Sequence, residues 1–160
     1  MIKRLFIIVC AFLGFSCESD KSNDMTSKIE KKLEYALNKF ESKNNAFVVS
    51  IFHNDTCLVQ IVHRSYIEKT RQQFDTFGFA LNLSFDTTSQ QETEYLEKFK
   101  QLDISKKFAP YDWDGIPCYA IDFAIDTKSA AKITALILKD LYGLDESSNL
   151  KIEVVNQGKL

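Results

Sequence analysis

Two β-rich runs, 46–53 and 56–63, flank Asn54-Asp55 and constrain this chain more than any other feature. Asn and Asp tolerate positive φ better than most side chains, so two residues suffice for a tight hairpin turn. Regular pairing from that turn puts Phe47, Val49, Ile51, Leu58 and Val62 on one face. Val48, Phe52, Cys57, Val59 and Ile61 fall on the other. A hairpin that is apolar on both faces belongs deep in a sheet or at an interface, because neither face tolerates water.

Around this hairpin the apolar spacing switches between periods of two and of 3.6. Ser27-x-x-Glu30 reads as a capping box, followed by Ile29, Leu33, Ala36, Leu37 and Phe40 at helical spacing. Phe77, Phe79, Leu81, Leu83 and Phe85 alternate with Gly78, Ala80, Asn82 and Ser84, the pattern of a half-buried strand. Ser89-x-x-Glu92 is a second capping box ahead of Tyr95, Leu96, Phe99 and Leu102, and residues 103–116 read as a loop. Tyr119, Ile121, Phe123 and Ile125 form another alternating strand, and Asp126-Thr127 starts a helix with Ala130, Ile133, Leu136, Ile137, Leu138 and Leu141 on its apolar face. Gly143 suits a helix C-cap, and Leu150, Ile152 and Val154 make a last strand.

This order predicts an α+β fold: a mixed, mainly antiparallel sheet of about five strands, with three helices mostly on one face. The strand–helix–strand segment at the end is long enough for a right-handed parallel crossover. The composition, 45% hydrophobic and 26% charged with a formal charge of −2, excludes a disordered chain and a nucleic-acid binder that relies on net positive charge.

The N-terminus reads as an export signal. Lys3 and Arg4 precede an unbroken apolar run from Leu5 to Phe15, too short for the ~30 Å hydrocarbon core. Leu13-Gly14-Phe15-Ser16-Cys17 resembles the lipobox of bacterial lipoproteins, with Gly14 where an aliphatic residue is usual. The resemblance covers the leader alone. It implies that Cys17 carries a diacylglycerol and becomes the first residue after cleavage. Two or three acyl chains would anchor the protein stably, at about 0.8 kcal/mol per buried methylene. The expected organisation is a signal peptide at 1–16, the lipidated cysteine and a flexible polar tether at 17–27, and a single α+β domain at 28–156. Loss of Lys3 and Arg4 with the leader takes the formal charge from −2 to −4.

Cys10 leaves with the leader, so Cys57 and Cys118 are the cysteines of the domain. Outside the cytoplasm they are a candidate disulfide, with two buried free thiols as the other reading. There is no C-x-x-C. His53 and His63 fall at opposite ends of the hairpin, roughly 23 Å apart at ~3.3 Å per residue, and cannot share a metal. Asp112-Trp113-Asp114-Gly115 echoes the start of a calcium loop, but Phe123 stands where the twelfth-place acid belongs. No metal or cofactor is expected.

Asp112, Asp114, Asp122 and Asp126 are the residues a hydrolase could use, but no nucleophile or phosphate motif accompanies them, so the expectation is a non-enzyme. Phe108, Tyr111, Trp113 and Tyr119 concentrate aromatics beside both prolines, as in a recognition loop; the other reading is a lid that plugs the core. The function expected from these features is a protein- or peptide-binding module held by its lipid on the bacterial cell envelope, at the outer membrane. The alternatives are an immunity-type lipoprotein that neutralises a toxin and a hydrolase built on those aspartates.

Overall fold

A computed structural model describes residues 24–40, 45–67 and 78–159. The expected signal peptide, Cys17 and most of the expected tether lie outside the described residues.

Helix α1 (Met25–Lys39) starts earlier than the Ser27 box implied. Asp24 is its N-cap, accepting from the Ser27 backbone N–H at 2.6 Å. Met25, Ile29, Leu33 and Ala36 form its buried stripe, so the folded part begins inside the segment expected to be a tether. Strands β1 (Asn45–His53) and β2 (Thr56–His63) follow, joined by Asn54 and Asp55 at φ 48° and 63°. A short 3₁₀ turn (Arg64–Tyr66) leaves β2, and β3 is Phe79–Ser84. Helix α2 (Gln90–Gln101) has Ser89 at its N-cap, but no side-chain bond closes the second expected box.

The stretch 103–116, read as a loop, is mostly ordered structure. It holds a 3₁₀ turn (Asp103–Lys107), strand β4 (Ala109–Trp113) and a turn at Asp114-Gly115 with φ 51° and 86°. An Asp-Gly pair at these angles is a strong hairpin turn, and it folds β4 onto β5 (Ile116–Ala124). Pro110 is accommodated because β4 is an edge strand. Helix α3 (Thr127–Asp140) is capped by Asp126, whose carboxylate accepts from Ser129 N–H at 3.0 Å. It ends at Gly143, φ 72°, where Leu144 N–H reaches back to the Leu138 carbonyl at 3.0 Å. Strand β6 (Leu150–Lys159) closes the described chain.

The α+β class holds: the described residues form three helices and a sheet in the order β4-β5-β3-β2-β1-β6, with every pair antiparallel. Among them the sheet therefore has six strands instead of about five, and the parallel pair that would have made it mixed is not formed. The reason is competition for edges. The Asp-Gly hairpin gives β5 a neighbour on its second side, so β6 crosses β3 and β2 and pairs with β1. The two ends of the crossover still run in the same direction.

A bulge corrects the face assignment of the central hairpin. Phe52 pairs with Cys57 but Ile51 pairs with Val59, leaving Leu58 unpaired in β2. A one-residue shift exchanges the faces of everything beyond it. Val59 and Ile61 therefore join Phe47, Val49 and Ile51 in the main core, while Val62 moves to the opposite side. That core lies between the sheet and the helices, and Ile29, Leu33, Leu96, Phe99, Ile137 and Leu138 all contribute to it. The expected alternation of β3 puts Phe79, Leu81, Leu83 and Phe85 in this core, but the strand is buried on both faces instead of half-buried, and Phe77 lies outside the described residues.

Candidate functional site

The helix-bearing face of the sheet is filled, and the other face carries the site. Among the described residues no helix covers Val48, Val62, Ala80 and Ala120, which with Ile67 and Tyr111 form a small apolar cluster of their own. Over it opens a cavity of about 430 Å³. Val48, Val62 and Ile67 supply its apolar part and Tyr66, Tyr111 and Trp113 its aromatic part. Gln60, Asn82 and Gln157 add carboxamides, and Asp112 is its one carboxylate among the described residues. A second hollow of about 320 Å³ shares Gln60 and Asn82 and continues past Ser84 and Ile116 toward Asp86 and Glu92. The two hollows meet at Gln60 and Asn82, and the larger forms a groove over the middle strands. Glu92 is held above the ordinary carboxylate range, first by burial and then by the nearby Asp86 charge.

Strand alternation sorts the four expected recognition aromatics. Tyr111 and Trp113, two residues apart in β4, both reach the groove, and Trp113 is 60% exposed. Phe108 and Tyr119 lie on the helix side, as the core-plugging reading had it. Phe108 packs edge-on against Phe99 at 5.2 Å, and Tyr119 meets the same ring at 5.0 Å. Gly115 N–H donates to the Asp112 carboxylate at 2.8 Å, which holds the Trp113 hairpin closed.

The Tyr111 hydroxyl donates to Asn82 Oδ1 at 2.6 Å, tying edge strand β4 to β3 across β5. Burial raises the Tyr111 phenol far above its ordinary value. Cys118 is buried beside it as its register partner, and burial pushes that thiol up as well. Cys57 and Cys118 are both free. They sit on β2 and β5 with β3 between, roughly 10 Å apart at ~4.8 Å per strand, beyond the ~7 Å a disulfide spans.

The remaining polar residues have structural work. Asp122 accepts from Arg64 Nε at 2.9 Å and from the Ala124 N–H at 2.7 Å, and Arg64 Nη2 lies 2.8 Å from the same oxygen. Asp114 forms the β4–β5 turn and Asp126 caps α3, so the four aspartates do not converge on one place. His63 is fully buried; its Nδ1 accepts from Ser65 N–H at 3.2 Å, and its ring packs edge-on against Phe47 at 5.6 Å. His53 sits at the far end of the hairpin, near Asn54. Among the described residues no three His, Cys, Asp or Glu side chains are placed to hold a metal, and no helix is long and apolar enough to cross a membrane.

Sequence reasoning missed Gln60, Asn82, Tyr66, Ile67 and Val62 as groove residues. Asn82 was legible as a polar residue on the second face of β3, and Asp114-Gly115 carried the hairpin that brings Tyr111 over it. Val62 was not legible, because its face depends on the bulge.

No family model and no solved structure matches the chain. It is similar to an uncharacterised protein, ORF39, of Ictalurid herpesvirus 1 (strain Auburn), at 25% identity over 118 residues. The match covers 71% of this chain and 10% of ORF39, so the chain spans about a tenth of the length of the curated relative it matches.

Proposed function

We propose that this protein is a non-enzymatic binding module, held by a lipid on Cys17 at the bacterial cell envelope, that takes an extended segment of a partner protein along the groove face of its sheet. The observation that carries the reading is the exposed Trp113 standing over an apolar floor of Val48, Val62 and Ile67. An apolar side chain of the partner would fill the cavity, and Gln60, Asn82 and Gln157 would meet its backbone amides, since carboxamides both donate and accept. The lipobox-like leader supports the anchor.

A photo-crosslinking residue in place of Trp113, in cells that make the full chain, tests the groove. The expected result is a discrete adduct that disappears when Val62→Lys puts a charge on the groove floor. An unchanged adduct pattern, or the same pattern from a probe at Lys132 on α3, would overturn it. The anchor is tested with a palmitate analogue: label is expected on the parent chain and absent from Cys17→Ser.

A further inference from the structure

We infer that β6 is a self-recognition edge, through which two copies of this chain pair antiparallel about a two-fold axis at Ile152. β6 is bonded to β1 along one side, and among the described residues no strand pairs with the other. It is the longest strand, ten residues, and much of it is at least partly exposed: Leu150, Ile152 and Val154 are only half-buried on the core side. The opposite edge, β4, has five residues and contains Pro110, which cannot donate to an added strand.

Charges normally protect such an edge, because like charges meet when identical strands pair. The pattern here does the reverse. Lys151 and Glu153 flank Ile152, share one face of the strand and pair with each other at 2.7 Å. A two-fold axis through Ile152 sets Lys151 of each copy opposite Glu153 of the other. The same register sets Leu150 opposite Val154 and Ile152 opposite itself, so the half-buried apolar residues on the core side cover one another. Axes at Lys151 or Glu153 oppose like charges. Axes further along bring in Asn156 and Gly158, which offer a polar side chain and none on the core side and lie where the β1 register shifts. The resulting sheet runs unbroken through both copies and carries their grooves on one face, so the pair would present two sites to a partner with repeated segments.

The test is sedimentation of the full chain in detergent. Concentration-dependent dimers are expected, weakened about tenfold or more by Glu153→Lys or by Lys151→Glu, each of which opposes like charges. The double change Lys151→Glu with Glu153→Lys keeps the complementarity with signs reversed and should restore the dimer. Mixing the two single variants should give a heterodimer. Ile152→Cys should form a disulfide-linked dimer under mild oxidation while the parent chain does not. The charge changes are at the sheet edge and Ile152 is half-buried, so circular dichroism checks that each variant keeps the fold. A monomer up to about 0.5 mM chain, or dimers indifferent to the single charge changes, would overturn the inference.

Discussion

The Tyr111 hydroxyl and the Asn82 carboxamide meet at 2.6 Å across an intervening strand, so the edge of the sheet is fastened to its middle by one hydrogen bond on the groove side. Tyr111→Phe removes the donor and leaves Asn82, only 5% exposed, without it. The expected cost is about 1 kcal/mol of stability, measured by urea unfolding.

The same burial makes alkaline stability predictable. The phenols of Tyr111 and Tyr142 are both raised from an ordinary value of 10.0, chiefly by burial. In the unfolded chain they ionise near that value, while the folded state keeps their protons. Above pH 10 the unfolded state thus holds fewer protons, and stability, fully present below, falls as pH rises. Phenolate absorbance should show Tyr111 and Tyr142 ionising together with unfolding. Ionisation of these two phenols in a still-folded protein would contradict this.

Trp113 and Phe99 should behave as opposites. Trp113 is 60% exposed, so Trp113→Ala is expected to change stability by less than about 1 kcal/mol while abolishing partner capture. Phe99 is fully buried against Phe85, Phe108 and Tyr119, so Phe99→Ala should cost about 3–5 kcal/mol. Thermal unfolding beside the crosslinking assay separates the two. A large stability loss in Trp113→Ala would make that residue part of the core.

Gly78 faces a backbone it nearly touches. A Cβ there would lie 2.4 Å from the Ala124 carbonyl oxygen, and φ is +115°. Gly78→Ala is expected to cost about 3 kcal/mol or more, because neither backbone can yield without breaking the β3–β5 pairing. A near-wild-type melting temperature would show that the two segments separate easily.

Deleting Leu58 should leave the chain folded. With the extra residue gone, regular pairing from the Asn54-Asp55 turn still joins Phe52 to Cys57, Ile51 to Val59 and Val49 to Ile61, so the core faces of β2 are kept. Circular dichroism is expected to show a folded protein for this deletion and for Leu58→Ala. An unfolded deletion variant would show that the bulge itself is required.

These features show why the chain was legible in part. Phe79, Leu81, Leu83 and Phe85 read correctly because alternation is a property of the extended backbone. Asp126 read correctly as a cap because its partner, Ser129 N–H, is three residues away. The first cap was placed too late because Asp24 and Ser27 both suit that role, and the choice rests on burying Met25. The expected recognition cluster divided because neighbouring positions on one strand pair point through opposite faces, which Tyr111 and Tyr119 illustrate.

By itself the sequence determined the kinds of element, most of their apolar faces and the α+β class, since these follow from local dihedral preferences and side-chain periodicity. Only the tertiary structure decided that Leu58 is a bulge, that β6 joins β1 instead of β5, and that Tyr111 comes to rest over Asn82. Each of those depends on which strand edge is free when the chain pairs, a competition between residues far apart that no local pattern records.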